Sequence, residues 1–193
     1  MRERLDREYF ESLYERSRDP WDFETSGYER EKYTRTLGVL AQHQRSYGRA
    51  LEVGCSIGVF TAMLAPLCEE VLAVDVSERA LAVARARLKD SPHVRLEPRR
   101  LPEEMPGGPF DLIVASEVLY YWPRDLMLAA LRRFEEALAP GGVLLAIHWR
   151  GETKTYPLQG DEVHELLSEN TRLTNTARIV EPEYRLDLFE AAL

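Results

Sequence analysis

Cysteine is scarce in this chain. Cys55 and Cys68 are the only two. They cannot make a disulfide framework and lack the spacing of a zinc site, which predicts a reducing, cytoplasmic setting. Long apolar runs are absent as well: nothing approaches the roughly 20 residues of a membrane span. The opening stretch MRERLDREYFESLYERSRDP carries charge where a signal peptide would carry an apolar block. No membrane partner is therefore expected. Histidine is sparse and scattered. His43, His93 and His164 fit surface helix or loop positions, and no His has a partner at ligand spacing, so no metal site is expected. A basic excess is also missing. The formal net charge of −8 argues against nucleic acid, whose phosphates call for a basic face, and suits a neutral or cationic small molecule.

What remains is an ordinary globular composition over 193 residues. That length favours one domain, residues 1–193, with a sizeable core. Residues 1–17 carry Leu5, Tyr9, Leu13 and Tyr14 on one side of a charged helix, which Pro20 ends. A second helix over 27–44, capped by Ser26, turns Tyr28, Tyr33, Leu37 and Leu40 inward. From Arg49 the pattern changes. Strands are expected at 50–53, 70–74, 93–97, 110–116 and 143–149. Helices are expected at 59–67, 78–89 (capped by Ser77), 124–138 and 161–168, and Pro140-Gly141-Gly142 is a turn. Near-continuous apolar strands alternating with amphipathic helices predict a parallel sheet covered on both faces. Two late strands, 173–181 and 184–190, are joined by only Pro182-Glu183, so one of them is antiparallel. The fold class is α/β, a seven-stranded, mostly parallel, Rossmann-like sheet. Residues 1–45 form a helical lid and 49–193 the core.

The most informative stretch is LEVGCSIGVF, residues 51–60. It describes a strand, a tight turn and a helix. Ligands of doubly wound sheets bind beyond the carboxyl ends of the strands, so this turn belongs to the expected site. Gly54 permits the turn, Gly58 lets the next helix approach, and backbone N–H groups at the helix start would face a polar ligand. Dinucleotide sites want G-x-G-x-x-G, and Ser56 holds the middle glycine position here. S-adenosylmethionine (SAM) carries no phosphate, and Glu52 can meet its amino-acid end. In VLAVDVS, Asp75 stands at the tip of the next strand, where a carboxylate accepts hydrogen bonds from ribose hydroxyls.

With LEVGCSIG, VLAVDVS, FDLIVASEVLYY and LAPGGVLLAIHW in this order, residues 49–150 resemble the class I SAM-dependent methyltransferases. The flanks, DPWDFETSGYEREKYTRTL, HWRGETKTYPLQGDEVHELL and YRLDLFE, are similar to those of the nodulation protein S (NodS) family. The resemblance implies SAM as cofactor, S-adenosylhomocysteine (SAH) as product, and a small-molecule acceptor. NodS-type enzymes N-methylate an amino sugar at the end of a deacetylated chitooligosaccharide, so a related amine is implied. One position departs. Members commonly carry Ala-Asp-Leu-Pro after the third strand, where the Asp receives the adenine amino group. This chain has Arg99-Arg100-Leu101-Pro102, and a guanidinium only donates. Backbone groups of Arg100 and Leu101, or stacking by Arg100, would have to serve instead.

Around the cofactor, the expected residues are Trp21 in the lid, Tyr28 and Lys32 one helical turn apart, and Glu52, Gly54, Cys55 and Gly58 of the turn. Asp75, Val76, Arg100, Leu101 and Ser116 complete that set, with Lys32 set to pair with the SAM carboxylate. On the acceptor side, Glu117 would bind the amine, and Tyr120, Tyr121 and Trp149 would line the cavity. Three residues are candidates for the chemistry, namely His148, Glu117 and Tyr120. His148 is the candidate for proton removal near neutral pH. Small-molecule O-methylation is the alternative reaction. A nicotinamide oxidoreductase is disfavoured by Ser56 and by the lack of a Tyr-x-x-x-Lys proton-relay pair after the fourth strand. A non-catalytic SAM-binding subunit is the reading that Arg100 motivates.

Overall fold

The computed structural model describes residues 2–193. The chain divides into two compact units. One is Asp6–Arg99, and the other is Arg100–Leu193 with the first residues through Leu5.

In the first unit, helix α1 spans Arg7–Arg16 and α2 spans Gly27–His43. Helix α1 begins six residues later than the periodicity suggests, because the Asp6 carboxylate accepts from the Arg7 N–H and fixes the start there. Ser26 caps α2 as expected, accepting from the Glu29 N–H at 3.2 Å. Tyr33 and Leu40 point inward, while Tyr28 is exposed, contrary to the pattern. Strands β1 (Tyr47–Val53), β2 (Cys68–Asp75) and β3 (Val94–Pro98) run parallel in the order β3-β2-β1. Helix α3 (Val59–Leu64) and a 3-10 turn (Ala65–Leu67) divide what the sequence suggests is one helix, with Pro66 inside the tighter turn. Helix α4 covers Glu78–Arg87. The core lies where the apolar runs of β1 and β2 meet these helices, around Leu51, Leu64, Val71, Leu81 and Tyr47. Each such buried aliphatic side chain contributes on the order of 2 kcal/mol.

In the second unit, β4 (Phe110–Ser116) runs parallel to β5 (Leu138–Trp149). Phe110 pairs with Leu138 but Leu112 with Val143, so residues 139–142 loop out of the ladder. The expected Pro-Gly-Gly turn is thus an interruption within β5. Glycine is required at its end: a Cβ on Gly142 would stand 2.8 Å from the Phe110 carbonyl, and Gly141 has φ +71°. Helix α5 is Arg124–Ala137 and α6 is Gly160–Asn170. Strands β6 (Thr174–Val180) and β7 (Tyr184–Glu190) form the expected hairpin. Strand β7 is antiparallel to both β6 and β5, giving the order β4-β5-β7-β6. Phe110, Phe134, Phe189 and Leu112 centre this unit's core. Among the described residues, no helix is long and apolar enough to cross a membrane. No group of three metal-ligating side chains occurs among them either.

Candidate functional site

The glycine turn follows β1 directly. Gly54 (φ +72°), Ser56 (φ +53°) and Gly58 (φ +75°) all take the left-handed conformation. Gly58 is doubly constrained, since a Cβ there would meet Ala84 Cβ at 3.0 Å and Leu88 Cδ1 at 3.1 Å. Ser56 has no such freedom and is held out of its preferred region, a feature that concentrates at functional sites. The donors of this turn are used internally. Gly54 and Cys55 N–H both donate to the Val74 carbonyl, Gly58 N–H to that of Cys55, and Ser56 N–H to Asp75 Oδ2 at 2.8 Å. These four N–H groups therefore face no ligand; the helix-start N–H groups of the expectation begin after them, at Val59. The turn contributes shape and close approach instead.

Asp75 ends β2, nearly buried, and takes the Ser77 N–H on Oδ1 at 2.9 Å. Each oxygen therefore has a backbone donor, with the Val76 N–H adding to them, and a carboxylate has about four acceptor sites, which leaves room for hydroxyl donors. Burial holds its pKa above the usual value, opposed by those N–H bonds. Glu52 is buried in β1 with Oε2 lacking any hydrogen-bond partner. Burial pushes its pKa up to about 8, with Thr61 opposing the shift and Asp75 adding to it. An orphaned carboxyl beside a glycine turn is the donor-seeking group an ammonium would satisfy. Cys55 is buried and its thiol is pushed up by burial. Val76 gives its carbonyl to Arg7 Nε at 3.1 Å.

The N-terminal segment rests on this turn. Tyr14, Ile57 and Ala80 form an apolar cluster joined by Trp21, Phe10, Val59 and Val83. Trp21 stacks on Phe23 and meets Tyr14 edge-on. Arg87 donates to the Ile57 carbonyl at 2.9 Å and pairs with Glu24. Lys32 is buried and pairs with Glu29 at 2.8 Å, with the Tyr28 and Tyr33 rings 5.0 and 5.7 Å away. Lys32 is thus a buried cation already matched by a carboxylate.

In the second unit, Arg100 is held by two acidic neighbours. Its N–H donates to Glu104 and its guanidinium to Glu103, each at 2.6 Å. The Leu101 carbonyl accepts from Arg4 at 2.6 Å. The Arg100 amide and guanidinium and the Leu101 carbonyl thus each have a partner within the protein. Ser116 ends β4, half-buried.

Glu117 follows Ser116 with φ +53°, the second strained residue just past a parallel strand. Its Oε2 accepts from the Tyr120 hydroxyl at 2.6 Å and from the Trp149 N–H at 2.9 Å. Tyr120, Tyr121 and Tyr156 pack ring to ring with centroids 4.7 to 5.0 Å apart. Burial, then the Glu117 charge, raises the Tyr120 pKa well above its ordinary value, so Tyr120 is a donor to Glu117 and not a base. The Trp149 ring is exposed, lying over Gly151, where a Cβ would strike it.

His148 stands corrected. It is fully buried, its Nε2 accepts from the Leu119 N–H at 3.2 Å, and its Nδ1 meets His164 Nε2 at 3.2 Å. A ring with both nitrogens so engaged is not placed to take a proton from an acceptor. His164 is also fully buried rather than on the surface, because α6 turns that face onto β7.

The glycine turn, Asp75 and the orphaned Glu52 are thus gathered in one unit, and Glu117, Tyr120, Tyr121 and Trp149 in the other. Sequence reasoning missed Tyr14, Thr61, Glu29, Tyr156 and the partners of the buried histidines. Tyr14 at an inward helical position was a signal, but its target was not. Tyr156 lies in a loop without periodicity.

The family model for nodulation protein S (NodS) matches residues 9–182. Nodulation protein S of Bradyrhizobium diazoefficiens is 40% identical over 129 residues, 66% of this chain and 61% of that protein. Nodulation protein S of Sinorhizobium fredii is 37% identical over 125 residues, 64% of this chain and 57% of that protein. The chain therefore spans about three fifths of the curated relatives it matches. The crystal structure of the N-methyltransferase NodS from Bradyrhizobium japonicum WM9 in complex with SAH superposes with TM-score 0.83 at 28% identity, covering 94% of this chain and 97% of that one. The fold is accordingly the α/β one of that enzyme, mostly parallel with an antiparallel hairpin, and the chain belongs to the NodS family.

Proposed function

We propose that this protein is a SAM-dependent methyltransferase that N-methylates a small amine, of amino-sugar type. The observation that carries the acceptor assignment is Glu117. In a NodS-family chain, it presents a carboxylate from a strained backbone, against a hydroxyl donor and beside three tyrosine rings. A carboxylate with aromatic faces is a cation site, and an amine is a cation before it reacts.

The residues present fit the cofactor. Asp75 would hold the ribose hydroxyls, Glu52 the ammonium of the amino-acid end, and the glycine turn would let that end approach closely. Lys32, paired with Glu29, would exchange that partner for the cofactor carboxylate. When bound, SAM supplies a methyl group already electrophilic on its sulfonium. The chain must then bind, orient and deprotonate the acceptor. Glu117 draws the ammonium in and receives its proton or passes it to solvent. Tyr120 fixes the Glu117 carboxylate through its own proton. Tyr121 and Tyr156 exclude water from the acceptor. The family's sugar acceptors and the net charge of −8 both support a cationic substrate over a neutral alcohol.

The test is a mass-spectrometric screen for the gain of one CH₂ across glucosamine oligosaccharides, simple amines and matched alcohols, with Glu117→Gln alongside. Methylation of amines only, reduced about 10²-fold or more in Glu117→Gln with SAH binding intact, is expected. Methylation of alcohols, or full activity in that variant, would overturn the acceptor assignment.

A further inference from the structure

A buried polar chain runs through the second unit and ends on the turn that carries Tyr120 and Tyr121. The Leu119 N–H donates to His148 Nε2 at 3.2 Å, His148 Nδ1 lies 3.2 Å from His164 Nε2, and His164 Nδ1 lies 2.7 Å from Asp187 Oδ2. All three side chains are fully buried. They come from β5, α6 and β7, and Leu119 opens the 3-10 turn Leu119–Tyr121.

Only one arrangement of protons satisfies this chain. A backbone amide can only donate, so His148 Nε2 must offer its lone pair, and the neutral ring then carries its proton on Nδ1. That proton is donated to His164 Nε2, which must also be a lone pair. His164 therefore carries its proton on Nδ1 and gives it to Asp187. A proton added to either ring would set two donors face to face. The far end is fixed by charge. Asp187 accepts from Arg178 at 2.6 Å, Asn175 at 2.8 Å and Arg185 at 2.9 Å. Burial would raise its pKa, but His164, Arg178 and Arg185 hold it well below the ordinary value. Burial lowers the His164 pKa, which also favours the neutral ring.

We propose that Asp187, through His164, fixes the tautomer of His148 and so holds the Leu119–Tyr121 turn, making all three positioning residues for the acceptor side. The cost of a wrong tautomer explains why a rigid apolar contact would not serve as well. An Nε2–H on His148 would leave the Leu119 amide buried against a donor, and the turn would shift to relieve it. Because the Tyr120 ring also packs edge-on to His148 at 5.2 Å, such a shift would move its hydroxyl relative to Glu117.

The turn's role in acceptor binding rests on the function proposed above, but the relay can be read without any acceptor. In the SAH-bound protein, long-range ¹H–¹⁵N spectra of the imidazoles should give the Nδ1–H tautomer for both His148 and His164. Asp187→Asn should speed exchange of the Leu119 amide by about fivefold to tenfold, the effect of one lost neutral hydrogen bond. His148→Gln, which keeps an acceptor, should protect Leu119 better than His148→Leu. With a glucosamine oligosaccharide as probe, Asp187→Asn should raise the acceptor KM about fivefold and leave SAH affinity unchanged. An Nε2–H tautomer of His148 in the wild type overturns the relay, and the two His148 variants decide it should Asp187→Asn not fold. Relay signatures with no change in KM or kcat would overturn the positioning role alone. Wild-type protein that binds SAH and methylates no amine would instead count against the proposed function and leave the tautomers standing.

Discussion

The Tyr14 hydroxyl lies 2.5 Å from the Ser56 hydroxyl, so α1 is seated on the strained residue of the glycine turn. Burial, then the nearby Asp75 charge, raises the Tyr14 pKa, which keeps the phenol protonated and able to donate. Tyr14→Phe removes one neutral hydrogen bond and keeps the ring in its apolar cluster. SAH binding should weaken about threefold to tenfold, in line with a net hydrogen-bond contribution of roughly 1 kcal/mol. Unchanged affinity by calorimetry would mean that the seat of α1 does not shape the site.

Beyond that seat, the apolar cluster and the Arg7–Val76 bond, the ion pairs of α1 are weak. Arg79 pairs with Glu11 and Glu15 at 3.1 and 3.3 Å on the exposed surface, where such pairs contribute at most about 1 kcal/mol each. Local opening of Arg7–Arg16 should therefore cost less than global unfolding. Amide exchange in α1 and across residues 18–25 should slow when SAH is added. Identical exchange with and without SAH would remove the lid role proposed for this segment.

Asp75 gives a sharper test of the cofactor assignment. Its backbone donors keep the carboxylate aimed whether or not a ligand is present. Losing the pair of hydroxyl contacts in Asp75→Ala should cost roughly 2–4 kcal/mol, or some 30- to 1000-fold in SAH affinity. A folded variant with wild-type affinity would exclude the ribose role.

The glycine turn and Asp75 were legible because covalent geometry leaves few choices there: left-handed backbone, close approach of α4 and a carboxylate at a strand tip. Strand β4 was legible to the residue because a run buried on both faces has no competing period. The start of α1 was not, since that helix awaits the cap at Asp6, whereas α2, α3, α4 and α5 begin where the sequence places them. The failures concern partners far apart in sequence. His148 looked like a base because its position at the end of a strand is visible in the sequence, whereas the Leu119 amide and His164, which occupy its two nitrogens, are not. Lys32 is a different case: Glu29 stands three residues before it on α2, a spacing that does announce the pair, and only the burial of that pair was hidden. A polar residue's availability depends on its tertiary partners, and a periodic pattern carries no record of them.

Glu52 makes a pH signature. Its carboxyl titrates near 8 in the folded protein against an ordinary value of 4.5. Between those values the native state binds more protons than the unfolded chain, so stability falls as pH rises, by at most about 1.4 kcal/mol per pH unit from this group. Glu52→Gln removes the titration and should flatten that part of the profile in urea unfolding, becoming more stable than the wild type as pH approaches 8. Cofactor binding should run the other way. An ammonium end is best matched by the ionised carboxylate, so binding releases a proton and SAH affinity should rise by up to about tenfold per unit between about pH 5.5 and 7.5. Calorimetry in buffers of different ionisation enthalpy counts that proton directly. Glu52→Gln should release none and lose the pH dependence. Proton release that persists in Glu52→Gln would assign the titration to another group and leave Glu52 without its role at the amino-acid end.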